Sequence, residues 1–375
     1  MIALRVVVAC VVFALGPASH ADALEDWLGA PHTSNLVAAP RGGRIAFVMN
    51  RRGLRNVYVA DAPDYRPRQV TRYTQDDGRM ISALTLTPDG KTALFAYGNG
   101  PSQIGHGNPT ADVAGRSQSI LALDLATGKS QVVADALEGR CGDPNGCTEL
   151  AISSDGVHVA ITGQRGIRVA TLGSGKPLTL EIRGGAGSPA WSPDGKSLAF
   201  TLYRAHHSII AVYRVGEPSL RYLAPSFDDD DLPRWSRDGR QIAFLRAVSP
   251  LDNAALLPHP TIPWAIWVAD PTTGAGREVW ASGNRPEDSL PDMMPSSGFG
   301  FGAGGSLYFV SERDGWQHLY ALDLAQPGAA PRLLTPGNFE VDSVVASADG
   351  ASLIYASNQG DIDRRHLWQV ALAGG

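Results

Sequence analysis

Apolar and polar positions along this chain alternate in short segments punctuated by turn residues. A glycine that closes a tight turn and is followed by apolar residues at +3 and +5 recurs in seven copies along the chain. The copies are Gly42 with Ile45 and Phe47; Gly90 with Ala93 and Phe95; Gly156 with Val159 and Ile161; Gly195 with Leu198 and Phe200; Gly239 with Ile242 and Phe244; Gly304 with Leu307 and Phe309; and Gly350 with Leu353 and Tyr355. Residues two apart on a strand share a face, so each pair predicts one buried strand face. The intervals between glycines are 48, 66, 39, 44, 65 and 46 residues. The clearest copies are Trp191-Ser192-Pro193-Asp194-Gly195 and Trp235-Ser236-Arg237-Asp238-Gly239. Asp-Gly between alternating apolar segments is a hairpin signal, because Gly accepts positive φ and Asp bonds to nearby backbone.

A third strand is predicted after each hairpin, as at Val57–Val59, Ile120–Asp124, Ile266–Asp270, Leu319–Asp323 and Leu367–Val370. A fourth follows a polar turn, as at Gln69–Thr71, Gln131–Val133, Leu220–Leu223, Glu278–Trp280 and Leu333–Thr335. Four antiparallel strands recurring every 40 to 48 residues or so read as a blade of a β-propeller, a WD-like repeat. The predicted fold is therefore all-β: a β-propeller of four-stranded antiparallel blades, with seven blade units. The seventh lacks its outer strand, because Ala373-Gly374-Gly375 stands where the turn before that strand would be. Either residues near Leu36 complete the ring or the chain continued in a longer parent. The surplus residues of the two long intervals fall near 97–117 and 247–263, and 283–298 is also irregular. Insertions in repeat folds lie in loops, either as solvated decoration or on a binding face.

The N-terminus reads differently. Met1–Arg5 gives a positive start, Val6–Leu15 an apolar run too short to span a bilayer, and Ser19–Ala23 a small-residue cleavage site. The expected organisation is a secretion signal peptide over 1–21 and a propeller over 22–375. The mature chain is then periplasmic or extracellular, with no membrane span. Export places Cys141 and Cys147, separated by Gly-Asp-Pro-Asn-Gly, in an oxidising compartment, and a local disulfide is the expectation; the alternative is a metal or redox pair, though no further Cys or His is in sequence reach. The net charge of -5 argues against nucleic acid as a partner.

The chemistry that motifs would reveal is missing. No Gly-x-Ser-x-Gly, His-Glu-x-x-His or Cys-x-x-Cys occurs, so no catalytic residue, cofactor or metal is assigned. His206 and His207 are adjacent and would point to opposite faces of a strand, which disfavours a shared metal. The run Asp228, Asp229, Asp230, Asp231 has two readings: a site for Ca²⁺ or a cationic substrate group, or a solvated inter-blade loop balanced by Arg234 and Arg237. Asp76, Asp77, His106 and Glu149 are further candidate substrate or partner contacts. Trp191, Trp235 and Trp267 sit at repeat positions and are expected to pack rather than to bind.

The stretch Trp191-Ser-Pro-Asp-Gly-Lys-Ser-Leu-Ala-Phe200 resembles the blade signature of TolB-type periplasmic propellers and of the propeller domain of the prolyl oligopeptidase family, dipeptidyl-peptidase IV-like enzymes included. Ser311-Glu-Arg-Asp-Gly-Trp-Gln-His-Leu-Tyr320, Leu334-Thr-Pro-Gly-Asn-Phe-Glu-Val341 and Pro263–Asp270 resemble the peptidase group. The resemblance implies a non-catalytic module that gates substrate access to an α/β-hydrolase domain bearing the serine-peptidase triad. That domain, C-terminal to this chain in such a parent, would perform the proteolysis. The family's paired glutamates for a substrate amino group have no Glu-Glu counterpart here. The alternative is a stand-alone TolB-like propeller that binds a peptide or protein partner.

Overall fold

The computed structural model describes residues 29–98, 118–135, 149–163, 166–248, 261–291 and 297–374. The N-terminal segment expected to be a signal peptide, Cys141, Cys147, His106 and most of the long loops lie outside these residues. Blade 1 holds β1 (His32–Ala38), β2 (Arg44–Arg51), β3 (Leu54–Asp61) and β4 (Arg68–Gln69). Blade 2 holds β5 (Ile81–Leu86), β6 (Thr92–Tyr97), β7 (Ser119–Asp124) and β8 (Ser130–Asp135). Blade 3 holds β9 (Glu149–Ile152), β10 (His158–Gly163), β11 (Gly166–Thr171) and β12 (Ser174–Leu180). Blade 4 holds β13 (Ala186–Trp191), β14 (Ser197–Tyr203), β15 (Ser208–Arg214) and β16 (Leu220–Tyr222). Blade 5 holds β17 (Asp229–Trp235), β18 (Ile242–Ala247), β19 (Trp264–Ala269) and β20 (Gly276–Ala281). Blade 6 holds β21 (Phe299–Phe301), β22 (Ser306–Ser311), β23 (His318–Asp323) and β24 (Arg332–Leu333). Blade 7 holds β25 (Val341–Ala346), β26 (Ser352–Ser357) and β27 (His366–Ala371).

Each blade is an antiparallel meander, and the first strands β1, β5, β9, β13, β17 and β21 touch in succession around the axis. The fold is the expected propeller, with six complete blades and a three-stranded seventh. Leu36 belongs to β1 of blade 1 and does not complete blade 7.

Among the described residues six hydrophobic clusters hold the blades, one between each consecutive pair. Ala46, Val48 and Val59 of blade 1 meet Ile81, Ala93 and Phe95 of blade 2. Leu94 and Ile120 meet Val159 and Ile161; Ala160 meets Ala186 and Phe200; Ala199 and Ile210 meet Phe244. Ile266 meets Phe309, and Val310 meets Leu353. Neighbouring residues on one strand thus serve opposite blades, which is why the centres of these strands are apolar on both faces. Each fully buried Phe or Leu contributes about 1.5–3 kcal/mol of burial free energy. Among the described residues no cluster joins blade 7 to blade 1, and Val345, Ile354 and Leu367 on the far face of blade 7 are exposed.

The Asp-Gly turns share one bonding scheme. In blade 4, Ser192 Oγ donates to Asp194 Oδ1 (2.5 Å) and accepts the Ser197 N–H (2.9 Å), while Asp194 accepts the Lys196 N–H (3.1 Å). Thr87/Asp89, Ser153/Asp155, Ser236/Asp238 and Ser347/Asp349 repeat it. The turn glycines Gly90, Gly156, Gly195, Gly239 and Gly350 take φ of 65° to 77°, which is open to Gly at little cost.

A second regularity carries no compositional signal. In blades 1, 2, 4 and 5 the innermost strand is bulged, with two residues opposite the +5 phenylalanine of the next strand. The first residue of each bulge, Asn35, Ala83, Ser188 and Leu232, has φ between 49° and 54°. A non-glycine residue in the left-handed region costs about 1–3 kcal/mol. The bulge turns the side chains beside it at the point where the innermost strands line the channel.

Candidate functional site at the channel mouth

Within each blade the first strand begins at the end opposite the turn that joins it to the second, which is the Asp-Gly turn in blades 2, 3, 4, 5 and 7. The connections between second and third strands, and those from one blade to the next, lie at that same end. The long loops near 97–117 and 247–263 are second-to-third-strand connections, so they attach to this mouth. Asp76 and Asp77 precede β5 here, paired with Arg55 (3.5 Å) and Arg79 (3.2 Å). Glu149 opens β9, and the aspartate run opens β17.

The structure divides the aspartate run. Asp230 points into the protein, fully buried, where Arg246 of β18 grips both carboxylate oxygens at 2.7 and 3.0 Å. Burial outweighs this pairing, and Asp230 is pushed up to about 6. Its partner is Arg246 rather than Arg234 or Arg237. Asp229 lies 3.5 Å from the Ser208 hydroxyl. Arg237 reaches across to the Ala348 carbonyl (2.6 Å) in the blade 7 turn.

Asp231 faces the channel and collects neighbours from three strands. Its Oδ1 accepts the hydroxyls of Ser188 (β13) and Thr201 (β14) and the Leu232 N–H, each at 2.7 Å. The bulge at Ser188 also aims its N–H at Glu149 Oε2 (2.8 Å). Glu149 is raised above the ordinary carboxylate range, first by burial and then by the nearby Asp231 charge, against the Ser188 N–H and Arg234. Arg234 is lowered by burial, with Tyr308, Asp231 and Glu149 acting in the other direction. The Tyr203 phenol is raised by burial and by Asp231 and Glu149. Two carboxylates against one guanidinium leave this cluster one negative charge in excess.

The repeat alignment shows what is unusual here. Thr162 on β10 holds the place of Thr201 on β14, and Gly187 on β13 holds the place of Asp231 on β17. Thr201 therefore has its carboxylate, while Thr162 Oγ1 is buried with no hydrogen-bond partner. The Tyr203 hydroxyl occupies the room left at Gly187, 2.9 Å from where a Cβ would stand. Such an orphaned hydroxyl is costly unless something else satisfies it.

Phe227, just before β17, is 89% exposed and meets the His207 ring edge-on at 6.0 Å. His206 and His207 lie in the turn between β14 and β15, not on a strand. Trp191 and Trp235 hook onto the preceding blade, donating to the carbonyls of Ala151 and Ala190, each at 2.9 Å. Trp267 stacks under Arg246, whose Cζ lies 4.2 Å from the ring. Sequence reasoning had no means to pick out Ser188, Thr162 or Tyr203. Only the register between blades joins them to Glu149 and Asp231.

One arrangement superficially resembles a hydrolytic triad. His318 Nδ1 lies 2.8 Å from Asp314 Oδ2, and Ser311 pairs with His318 across β22 and β23. Ser311 and His318 are each 1% exposed, and Phe339 meets the imidazole edge-on at 5.1 Å. No substrate reaches that hydroxyl; these residues close the hairpin. Among the described residues no group of three or more His, Cys, Asp or Glu is placed to hold a metal ion, and no helix is long and apolar enough to cross a membrane.

Residues 275–375 match the sequence family of the dipeptidyl peptidase IV (DPP IV) N-terminal region. No curated protein matches the chain. Among solved structures, dipeptidyl peptidase 4 of Porphyromonas gingivalis superposes with a TM-score of 0.60 at 14% identity, covering 94% of this chain and 54% of that one. A prolyl endopeptidase superposes with a TM-score of 0.57 at 15% identity over 91% of this chain and 50% of its own. The β-propeller domain of the trilobed protease of Pyrococcus furiosus, described as having an open velcro topology, gives a TM-score of 0.54 at 12% identity, covering 91% and 95%. The chain thus spans about half the length of the two peptidases and nearly the whole of the isolated propeller domain. At these identities the structural likeness establishes the fold. The family match bears on the C-terminal stretch, where the sequence resemblance to the peptidase propellers is also densest.

Proposed function

We propose, on the premise that this is a propeller of the dipeptidyl peptidase IV and prolyl oligopeptidase type, that the chain is a non-catalytic module that admits and holds peptides for an exported serine peptidase. The observation that carries this reading is the channel mouth. Glu149, Ser188, Tyr203 and Asp231 converge there on the same end as the long loops.

The physical logic favours a cationic group. The cluster carries one uncompensated negative charge, and the Tyr203 oxygen offers a further acceptor. A peptide's ammonium group supplies one positive charge and three donors. Peptide-bond hydrolysis is assigned to an α/β-hydrolase domain working with the propeller, and periplasmic or extracellular location follows from the signal-like N-terminus. Asp76, Asp77 and Asp228 form the outer polar rim of the same opening.

Calorimetric titration of the folded chain tests this, using a short peptide with a free amino terminus and its N-acetylated twin. The free amine is expected to bind at least about tenfold more tightly. Glu149→Gln and Asp231→Asn are each expected to erase the difference. Equal affinity for the two peptides would remove the assignment.

A further inference from the structure

The repeats provide an internal control that exposes a second site, on the opposite face from the mouth. In blade 3, His158 opens β10 and stacks on Trp191 of blade 4, with ring centroids 5.8 Å apart and planes 20° from parallel. Its cross-strand neighbour Thr171 lies 3.2 Å from the imidazole Nδ1. The groove between blades 3 and 4 is therefore filled by a planar ring that belongs to the chain. One blade on, Trp235 takes the place of Trp191 and is pinned in the same way. The residue at the histidine position is Ser197, and its cross-strand neighbour is Arg214. The serine leaves the Trp235 face uncovered, and a cavity of about 530 Å³ opens between blades 4 and 5. That volume is within the range of small-molecule sites.

We infer that this slot binds a small planar aromatic carboxylate. The ring lies on Trp235, where His158 lies on Trp191, with Val212 and Leu220 forming the apolar floor. Stacking on an indole in an offset arrangement is favourable beyond the area it buries. The lip carries both signs: Asp194 and Asp238 are held in their own turns by Ser192 and the Lys196 N–H and by Ser236 and the Arg240 N–H, Glu217 faces Arg214, and the two guanidiniums supply the counter-charge. Arg221 lines the cavity and makes no ion pair among the described residues. Arg214 pairs with Glu217 only at 3.4 Å between mostly exposed side chains, a contact weak enough to exchange for a ligand carboxylate. A guanidinium prefers a planar carboxylate in bidentate geometry. This site shares no residue with the channel mouth.

The test uses the folded chain and three probes followed by calorimetry: indole-3-acetate, neutral indole and acetate. Indole-3-acetate is expected to bind one to one and at least about fivefold more tightly than indole, with acetate not binding measurably. Ser197→His places the blade 3 imidazole in the slot and is expected to weaken indole-3-acetate at least about tenfold while leaving the melting temperature unchanged. Arg221→Glu, on an exposed side chain, is expected to abolish the advantage of indole-3-acetate over indole. Glu149→Gln should leave all three affinities as they were. The inference is overturned if millimolar indole-3-acetate fails to bind, if Ser197→His binds it as the unaltered chain does, or if Arg221→Glu keeps the advantage.

Discussion

Replacing Arg246 by methionine gives the sharpest test of how the innermost strand of blade 5 is held. Asp230 has no solvent exposure, and the Arg246 side chain is 9% exposed. The guanidinium makes both contacts to the carboxylate, bonds the Ala224 carbonyl at 2.5 Å and covers the Trp267 ring. Removing it leaves a buried, unpaired carboxylate, a loss of about 3–5 kcal/mol. Unfolding entropy of about 2.1 cal/mol/K per residue over roughly 350 residues is about 0.7 kcal/mol/K. The expected fall in melting temperature is then about 4–7 °C at pH 8.

The pH dependence follows from the direction of the Asp230 shift. Its folded pKa, about 6, stands above the ordinary 3.8, so the folded state binds the proton more tightly than the unfolded chain. That stabilisation is fully present below the unfolded value and is lost as pH rises through about 6. Without Arg246 the folded pKa climbs further, so the deficit of Arg246→Met should be small at pH 5 and full at pH 8. Adding Asp230→Asn should recover most of it at pH 8, since an apolar side chain beside an amide leaves no buried charge. Scanning calorimetry at both pH values reads this. An equal loss at pH 5 and pH 8, unrescued by Asp230→Asn, would refute the reasoning.

Three further outcomes are expected. Ser192→Ala removes a donor to Asp194 and an acceptor for Ser197 N–H, and should cost about 1–2 kcal/mol in thermal or urea unfolding. The Ser192 hydroxyl is the first cause holding Asp194 below the ordinary carboxylate range. The stabilisation from Asp194 is present above the unfolded pKa and lost as pH falls through the folded value, so the same variant should show a shallower acid limb below about pH 4. Ala83→Gly should change stability by no more than about 1 kcal/mol, because relief of the left-handed φ of 51° offsets the lost methyl, whereas Ala83→Val should cost at least about 2 kcal/mol. Trp191→Phe leaves the Ala151 carbonyl without its donor and should cost about 1–3 kcal/mol, read as a shift in the denaturation midpoint.

The blade count was legible because the Asp-Gly turn is local chemistry. Its Ser/Thr, Asp and Gly lie within four residues, and the apolar pair at +3 and +5 reports a strand buried on both sides. Even the three-stranded seventh blade could be read this way. The bulges could not. Asn35, Ala83, Ser188 and Leu232 share a backbone conformation and no side-chain type, and the phenylalanine opposite each bulge does not mark it, since Phe309 at the same position of blade 6 faces a regular strand. The channel cluster was legible only in part. Glu149 and Asp231 stood out as charges, but nothing in sequence marked them as neighbours, since 82 residues separate them and Ser188 on a third strand bridges them. The aspartate run misled in its pairing because alternation along β17 sends Asp230 inward to Arg246, a residue on the following strand.

The measurement that bears most directly on the proposed role is photo-crosslinking of a peptide carrying a free amino terminus and a photoreactive group beside it, followed by mapping of the attachment sites. Attachment is predicted within 149–163, 186–203 and 227–235, competed away by the unlabelled peptide and diminished in Asp231→Asn. Attachment confined to the outer strands, or an unchanged pattern in Asp231→Asn, would contradict the account.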